Sequence, residues 1–211
     1  MMPTVVRRLL QASVVGLAAL STACSVLPQA ESLTYYQLPA AALTAQPAPA
    51  SHKNLIIQMN RPHADRLLAS SRITVLPQGN ELSAYKGVRW SDDAPALLRN
   101  RIADALRDAA QFRAVVLDSE SVIADWELGG SLSAFQVEYT QGAPRVQIQF
   151  DALLRDQVSG QLIQTRRFVA QQAVDGTAVP QVVEAFGLAT DALSLQVTQW
   201  LGSLTVMTTT P

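Results

Sequence analysis

Cysteine, lysine and histidine are nearly absent from this chain of 211 residues. One cysteine, Cys24, means no internal disulfide, so stability rests on packing. The two histidines are His52 and His63. His52 falls in a proline-rich stretch. His63-Ala64-Asp65 offers one imidazole and one carboxylate, fewer donors than a metal site needs. The patterns GxSxG, GxxxxGKS/T, GxGxxG and HExxH do not occur. Lysine appears only as Lys53 and Lys86, and no block of like charge exists. That excludes the clustered basic surface that nucleic acid or an anionic membrane requires. Charged residues make up 16% and apolar residues 48%, the balance of a chain that folds rather than one that stays disordered. These absences leave no catalytic constellation and no metal or cofactor site.

What is present starts at the beginning. Arg7 and Arg8 precede an apolar run richest from Val14 to Leu20, and small residues Ser21, Thr22 and Ala23 follow. This is the three-part layout of a secretory signal peptide. Its dozen or so apolar residues are too few to span a bilayer of roughly 30 Å. With Cys24 directly after the small residues, the stretch resembles a bacterial lipobox. Leucine most often stands three before the cysteine in such signals; here Ser21 takes that place and Leu20 is one earlier. The resemblance implies cleavage between Ala23 and Cys24, a diacylglycerol on the thiol and a fatty acyl chain such as palmitate on the new amino group. The other reading is an ordinary cleaved signal with a free thiol. Two or three acyl chains make an anchor effectively permanent, where one is marginal. Ser25 follows the cysteine, where lipoproteins retained at the inner membrane commonly carry aspartate. The expectation is therefore an outer-membrane lipoprotein facing the periplasm of a Gram-negative bacterium. Without Arg7 and Arg8 the sixteen basic residues become fourteen against seventeen acidic, a mature net charge of about −3.

The mature chain divides into a tether over residues 24–34, one domain over 35–203 and a tail over 204–211. "TYYQLP" (Thr34–Pro39) reads as a brief strand, and the Ala/Pro-rich stretch at 39–54 reads as an extended link. If Tyr35–Leu38 docks on the domain, the tether is only about ten residues, or roughly 30 Å. Strands are expected at Asn54–Pro62, Ser71–Gly79 and within Asn80–Trp90. The period then changes. Leu98, Ile102, Ala105, Leu106 and Ala109 share one helical face, with Ser91, Asp92 or Asp93 as cap and Pro95 in the first turn. A buried strand follows at Ala114–Asp118. In "DWELGGSLSAFQVEY" the apolar phase slips, which predicts a bulge near Ala134–Phe135. "RVQIQFDALL" alternates cleanly through Val146, Ile148, Phe150, Ala152 and Leu154, and "LIQTRRFVAQQAV" returns. A last helix spans about Val179–Leu201, with Val182, Phe186, Ala189, Leu193, Val197 and Trp200 spaced by threes and fours. The fold class is α+β: one largely antiparallel sheet with two main helices packed against it.

Other residues read as structural. Asp92-Asp93 has the form of an acid/base pair, but carboxylates before a helix are caps. Arg166-Arg167 on a strand places one arginine on each face. Trp90, Trp126 and Trp200 read as core, Trp90 with the option of exposure after its loop.

Three stretches carry a wider likeness: "YYQL" soon after the lipobox cysteine, "VRWSDDAPALLRNRI" ahead of and into the first helix, and the strand pair "ADWELGGSLSAFQVEY" with "RVQIQFDALLRD". Together these resemble the ABC-type transport auxiliary lipoprotein family, of the PqiC and YmbA type, over nearly all of the mature chain. The resemblance implies a non-catalytic, lipid-anchored component of an MCE-type lipid transport system. Its partners would be a periplasmic MCE protein directly and an ABC transporter permease indirectly, with self-assembly into a homo-oligomer left open. A free-standing periplasmic lipoprotein that binds envelope or cell-wall components is the alternative. Cys24 is the one functional position that carries over.

Overall fold

The structure, a computed structural model, describes residues 32–40 and 53–205. Ala23, Cys24 and His52 lie outside the described residues. In chain order the elements are β1 (Thr34–Tyr36), β2 (Lys53–Met59), β3 (Thr74–Leu76), β4 (Ser83–Ala84), β5 (Val88–Trp90), α1 (Ala94–Asp108), β6 (Phe112–Leu117), β7 (Trp126–Thr140), β8 (Ala143–Asp156), β9 (Leu162–Ala173) and α2 (Val179–Ser203).

Strand β7 organises the main sheet. On one side it pairs antiparallel with β8 along its whole length, and β8 pairs antiparallel with β9. On its other side two short strands share it. Ile57–Met59 of β2 run parallel to Trp126–Leu128, and Thr74–Leu76 of β3 run parallel to Gln136–Glu138. His63 bridges to Ser131 between them. One long strand thus templates two separate pieces of chain in its own direction. The sheet is mostly antiparallel, with these parallel additions at its centre.

The alternation in β8 does what it predicts. Val146, Ile148, Phe150, Ala152 and Leu154 are all buried, each large side chain contributing about 1.5–3 kcal/mol. The phase slip in β7 is a bulge. Leu132 faces Phe150 and Ala134 faces Gln149, leaving Ser133 as the extra residue, one position earlier than expected. Just before it, β8 crosses so close to Gly130 that a Cβ there would lie 2.0 Å from the Asp151 carbonyl oxygen. With φ at +132°, only glycine fits.

Helix α1 starts where its cap predicts: the Asp93 carboxylate accepts from the Ala96 N–H at 3.0 Å. Leu98, Ile102, Ala105 and Leu106 are buried, and Asp104, Arg107 and Asp108 face out. Helix α2 is buried on most sides. Its polar Thr190, Ser194 and Thr198 tolerate this by donating to the carbonyls one turn back, at 2.7, 2.8 and 2.9 Å. Trp90, Trp126 and Trp200 are all core residues, and Trp90 is fully buried against Phe135 and Phe186. One expectation fails. The strand at Ala114–Asp118 begins earlier, at Phe112, and is half-buried rather than buried. It pairs only with β2, so it forms an edge of the sheet and has cover on fewer sides.

Candidate functional site

The segment that leads toward Cys24 is fastened to the domain. Strand β1 pairs parallel with β5 in a small sheet of its own, Tyr36 opposite Trp90. The Thr34 N–H donates to the Gly87 carbonyl at 2.9 Å, and the Ser91 N–H donates to the Tyr36 carbonyl at 2.8 Å. Tyr36 and Leu38 pack against the core while Tyr35 stays exposed. The strap then crosses α2 at Gly187, where a Cβ would come within 2.8 Å of the Pro39 carbonyl oxygen. "TYYQL" is therefore a docked strap, and it docks on β5 rather than in the main sheet.

Between strap and α1 lies an open cleft of about 210 Å³, lined by Gln37, Leu38, Ser91, Leu97, Asn100, Arg101 and Asp104. Arg101 forms an ion pair with Asp191 of α2, both side chains close to fully buried. The Arg101 and Asp191 charges offset each other, and Asp104, the other charged residue of the lining, pairs with Arg107 at 3.0 Å. The Arg101–Asp191 pair locks α1 to α2 beneath the strap, 90 residues apart in sequence.

A second polar cluster sits at the start of α1. Arg61 pairs with Asp93 at 2.5 Å, the Arg61 N–H donates to Asp118 at 2.9 Å, and Arg99 pairs with the same Asp118 at 2.6 Å. Asp93 is thus at once helix cap and ion-pair partner, and Asp92 accepts from the Asp93 N–H. The two carboxylates hold the chain's own groups, as a cap does.

The remaining sequence candidates do not converge. His63 lends its backbone to the sheet, accepting from the Leu132 N–H at 2.7 Å, while its side chain is exposed. Among the described residues no group of three or more His, Cys, Asp or Glu is placed to hold a metal ion. Arg166 and Arg167 take opposite faces of β9, as the alternation predicts, Arg166 opposite Ala152 and Arg167 opposite Asp151, and both are exposed. Arg166 lies over the Phe168 ring at 5.1 Å on the face turned toward α2. Arg167 pairs with Asp151 at 2.5 Å. That hydrogen bond, helped by Ser133 and Gln149, holds the Asp151 carboxyl below the usual carboxylate range.

Sequence reasoning missed Lys53. It is buried, and its ammonium donates to the Gly202 carbonyl at 3.0 Å, capping the C-terminus of α2. Burial lowers its pKa. No local signal marks it, because the helix end it serves is 149 residues away.

Comparison with known proteins gives the class. The model of the ABC-type transport auxiliary lipoprotein component family matches residues 36–198, nearly the whole domain, and the chain belongs to this family. Membership makes it a lipoprotein component associated with ABC-type transport. Among solved structures, a protein of Xanthomonas campestris from family DUF330 is similar at 24% identity and a TM-score of 0.72, over 80% of this chain and 95% of that one. A crystal structure of an uncharacterized protein is similar at 20% identity and a TM-score of 0.64, over 81% and 99%. A hypothetical protein of Chlamydia trachomatis is similar at 8% identity and a TM-score of 0.50, over 71% and 96%. At such identities these structures establish the fold alone. No curated protein matches the chain.

Proposed function

We propose that this chain is the lipid-anchored, periplasm-facing component of an MCE-type lipid transport system and docks the periplasmic assembly at the outer membrane. Cleavage after Ala23 would leave Cys24 as the acylated first residue. The observation that carries the reading is the family match over 36–198, directly downstream of a segment with the layout of a lipoprotein signal. Ser25, in place of aspartate, favours the outer membrane. The docked strap adds a distance. With Thr34 bound to the domain, about ten residues separate it from Cys24, a reach of roughly 30 Å at most. The domain stays close to the membrane that holds its acyl chains.

The test is to crosslink the tagged, full-length chain in living cells, purify it and identify what accompanies it by mass spectrometry, beside a Cys24→Ala control. The proposal expects an MCE protein or ABC permease, reduced in the control. Recovery of only abundant envelope proteins, unchanged by loss of the cysteine, would sink it and favour a free-standing lipoprotein.

A further inference from the structure

Large apolar side chains are exposed unevenly over this domain. Ile123 is 83% exposed, Val158 81% and Leu162 61%. They sit in the β6–β7 loop, in the β8–β9 turn and on the first residue of β9. Val122 and Ile163 are also exposed in the same loop and strand, and Leu153 is exposed near the end of β8. The two loops are stapled together: the Ala124 N–H donates to the Gln157 side chain at 2.7 Å, and the Gln157 N–H donates to the Asp125 carbonyl at 2.9 Å. The exposed aliphatics are therefore held in one fixed tip.

Residues 119–125 and 156–164 contain neither Lys nor Arg, and Arg155 beside them is paired with Glu127 at 2.7 Å. The tip's carboxylates bond backbone N–H groups, yet Glu120 stays exposed and Asp125 and Asp156 are only half-buried, so the tip is apolar with an acidic rim. Glu120 accepts from the Leu117 N–H at 2.9 Å, Asp125 from the Ile56 N–H at 2.7 Å and Asp156 from the Ser159 N–H at 2.8 Å. An anionic bilayer is bound through Lys and Arg, so this surface does not fit one. It fits an apolar protein surface free of acidic groups, and a preorganised patch of this kind lowers the ordering cost of binding.

Its position points the same way. The tip lies where β7 begins, opposite Asp156. The strap enters near Gly87, beside β3 and β4, which pair at the far end of β7 around Gln136–Glu138. About ten residues of strand, roughly 30 Å, separate the two ends. A tether of about ten residues that enters at one end leaves the other end facing away from the anchoring membrane.

We propose that the tip carrying Ile123 and Val158 is the surface on which the periplasmic protein of the transport system docks, through an aliphatic surface of its own that carries no acidic groups. This inference rests on the transport reading above. The test is recovery of that protein with the anchored, full-length chain after in-cell crosslinking. The tip variant is Ile123→Asp with Val158→Asp. A milder one is Ile123→Ser with Val158→Ser, and Leu188→Asp with Leu195→Asp on the exposed stripe of α2 is the control. Thermal melting of each accompanies the recovery. The expected result is a loss of tenfold or more for the aspartate tip variant and a smaller loss for the serine one. The control stays at the wild-type level and the tip variants melt within a few degrees of wild type. Wild-type recovery by both tip variants overturns the proposal. If the tip variants change only the oligomeric state in detergent, the tip belongs to a second copy of this chain and the proposal also falls. If the wild-type chain recovers no transport protein at all, the transport reading fails first and takes this inference with it.

Discussion

The two ends of the domain treat apolar residues in opposite ways. At the strap, Tyr36 and Leu38 turn into the core, the backbone is paired, and a glycine on α2 makes room for Pro39. At the tip, the backbone is equally well fixed, yet Ile123 and Val158 are left in water. Ordered backbone with buried side chains is a completed interface within the chain. Ordered backbone with exposed side chains is an interface that lacks its second half. Exposure alone would not separate them, since single surface leucines are ordinary; the clustering and the stapled loops do.

The comparison can be broken at several points. The largest effect is expected from Cys24→Ala, which should move the chain from the membrane to the soluble periplasmic fraction; fractionation and immunoblotting check it. Next comes the lock beneath the strap. Arg101→Leu removes the cation that faces buried Asp191, and breaking a buried pair from one side costs about 3–5 kcal/mol. Urea denaturation should show a fall in unfolding free energy of that size, read as a lower midpoint. Gly187→Val forces a side chain against the Pro39 carbonyl and should cost about 1–3 kcal/mol, with faster proteolysis at residues 33–40. Ile123→Ser at the tip should change stability by no more than about 0.5 kcal/mol. A loss near that of Gly187→Val would mean the tip is packed after all, and the contrast would fail.

Acidity gives a smaller, signed effect on the sheet that joins the two ends. Asp151, bonded by Arg167, and Asp156, bonded by the Ser159 backbone, both have folded pKa values below the ordinary range. The folded state therefore binds fewer protons than the unfolded state. Their contribution is complete above about pH 5 and is lost as pH falls through the folded values. The urea midpoint should drop between pH 6 and pH 3, and Asp151→Asn should flatten that drop. Lys53 acts in the opposite range. Its folded pKa lies below the unfolded one, so stability should rise as pH climbs from the folded value toward about 10.4.

Much of this was legible in the chain because the signals are local. The Asp93 cap, the alternation of β8, the phase slip in β7 and the spacing of α2 each lie within one element. What was illegible depends on distant partners. Nothing near Lys53 names Gly202, and nothing near Arg101 names Asp191. The parallel run of β2 and β3 along β7 joins residues too far apart for any short pattern to record, and so does the half-burial of β6. The proposed lipid attachment at Cys24 is the reverse case: it rests on a signal layout in the sequence, and the residue lies outside the described ones. The tip was illegible because Ile123 and Val158 lie 35 residues apart in two separate loops, and nothing near either one names the other.

The most direct measurement places a photoreactive amino acid at position 35 on the strap or at position 158 on the tip of the otherwise wild-type, anchored chain, and irradiates living cells. The account predicts that position 158 captures the periplasmic transport protein and that position 35 does not. Capture of that protein from position 35 alone, or of phospholipid from position 158, would contradict it.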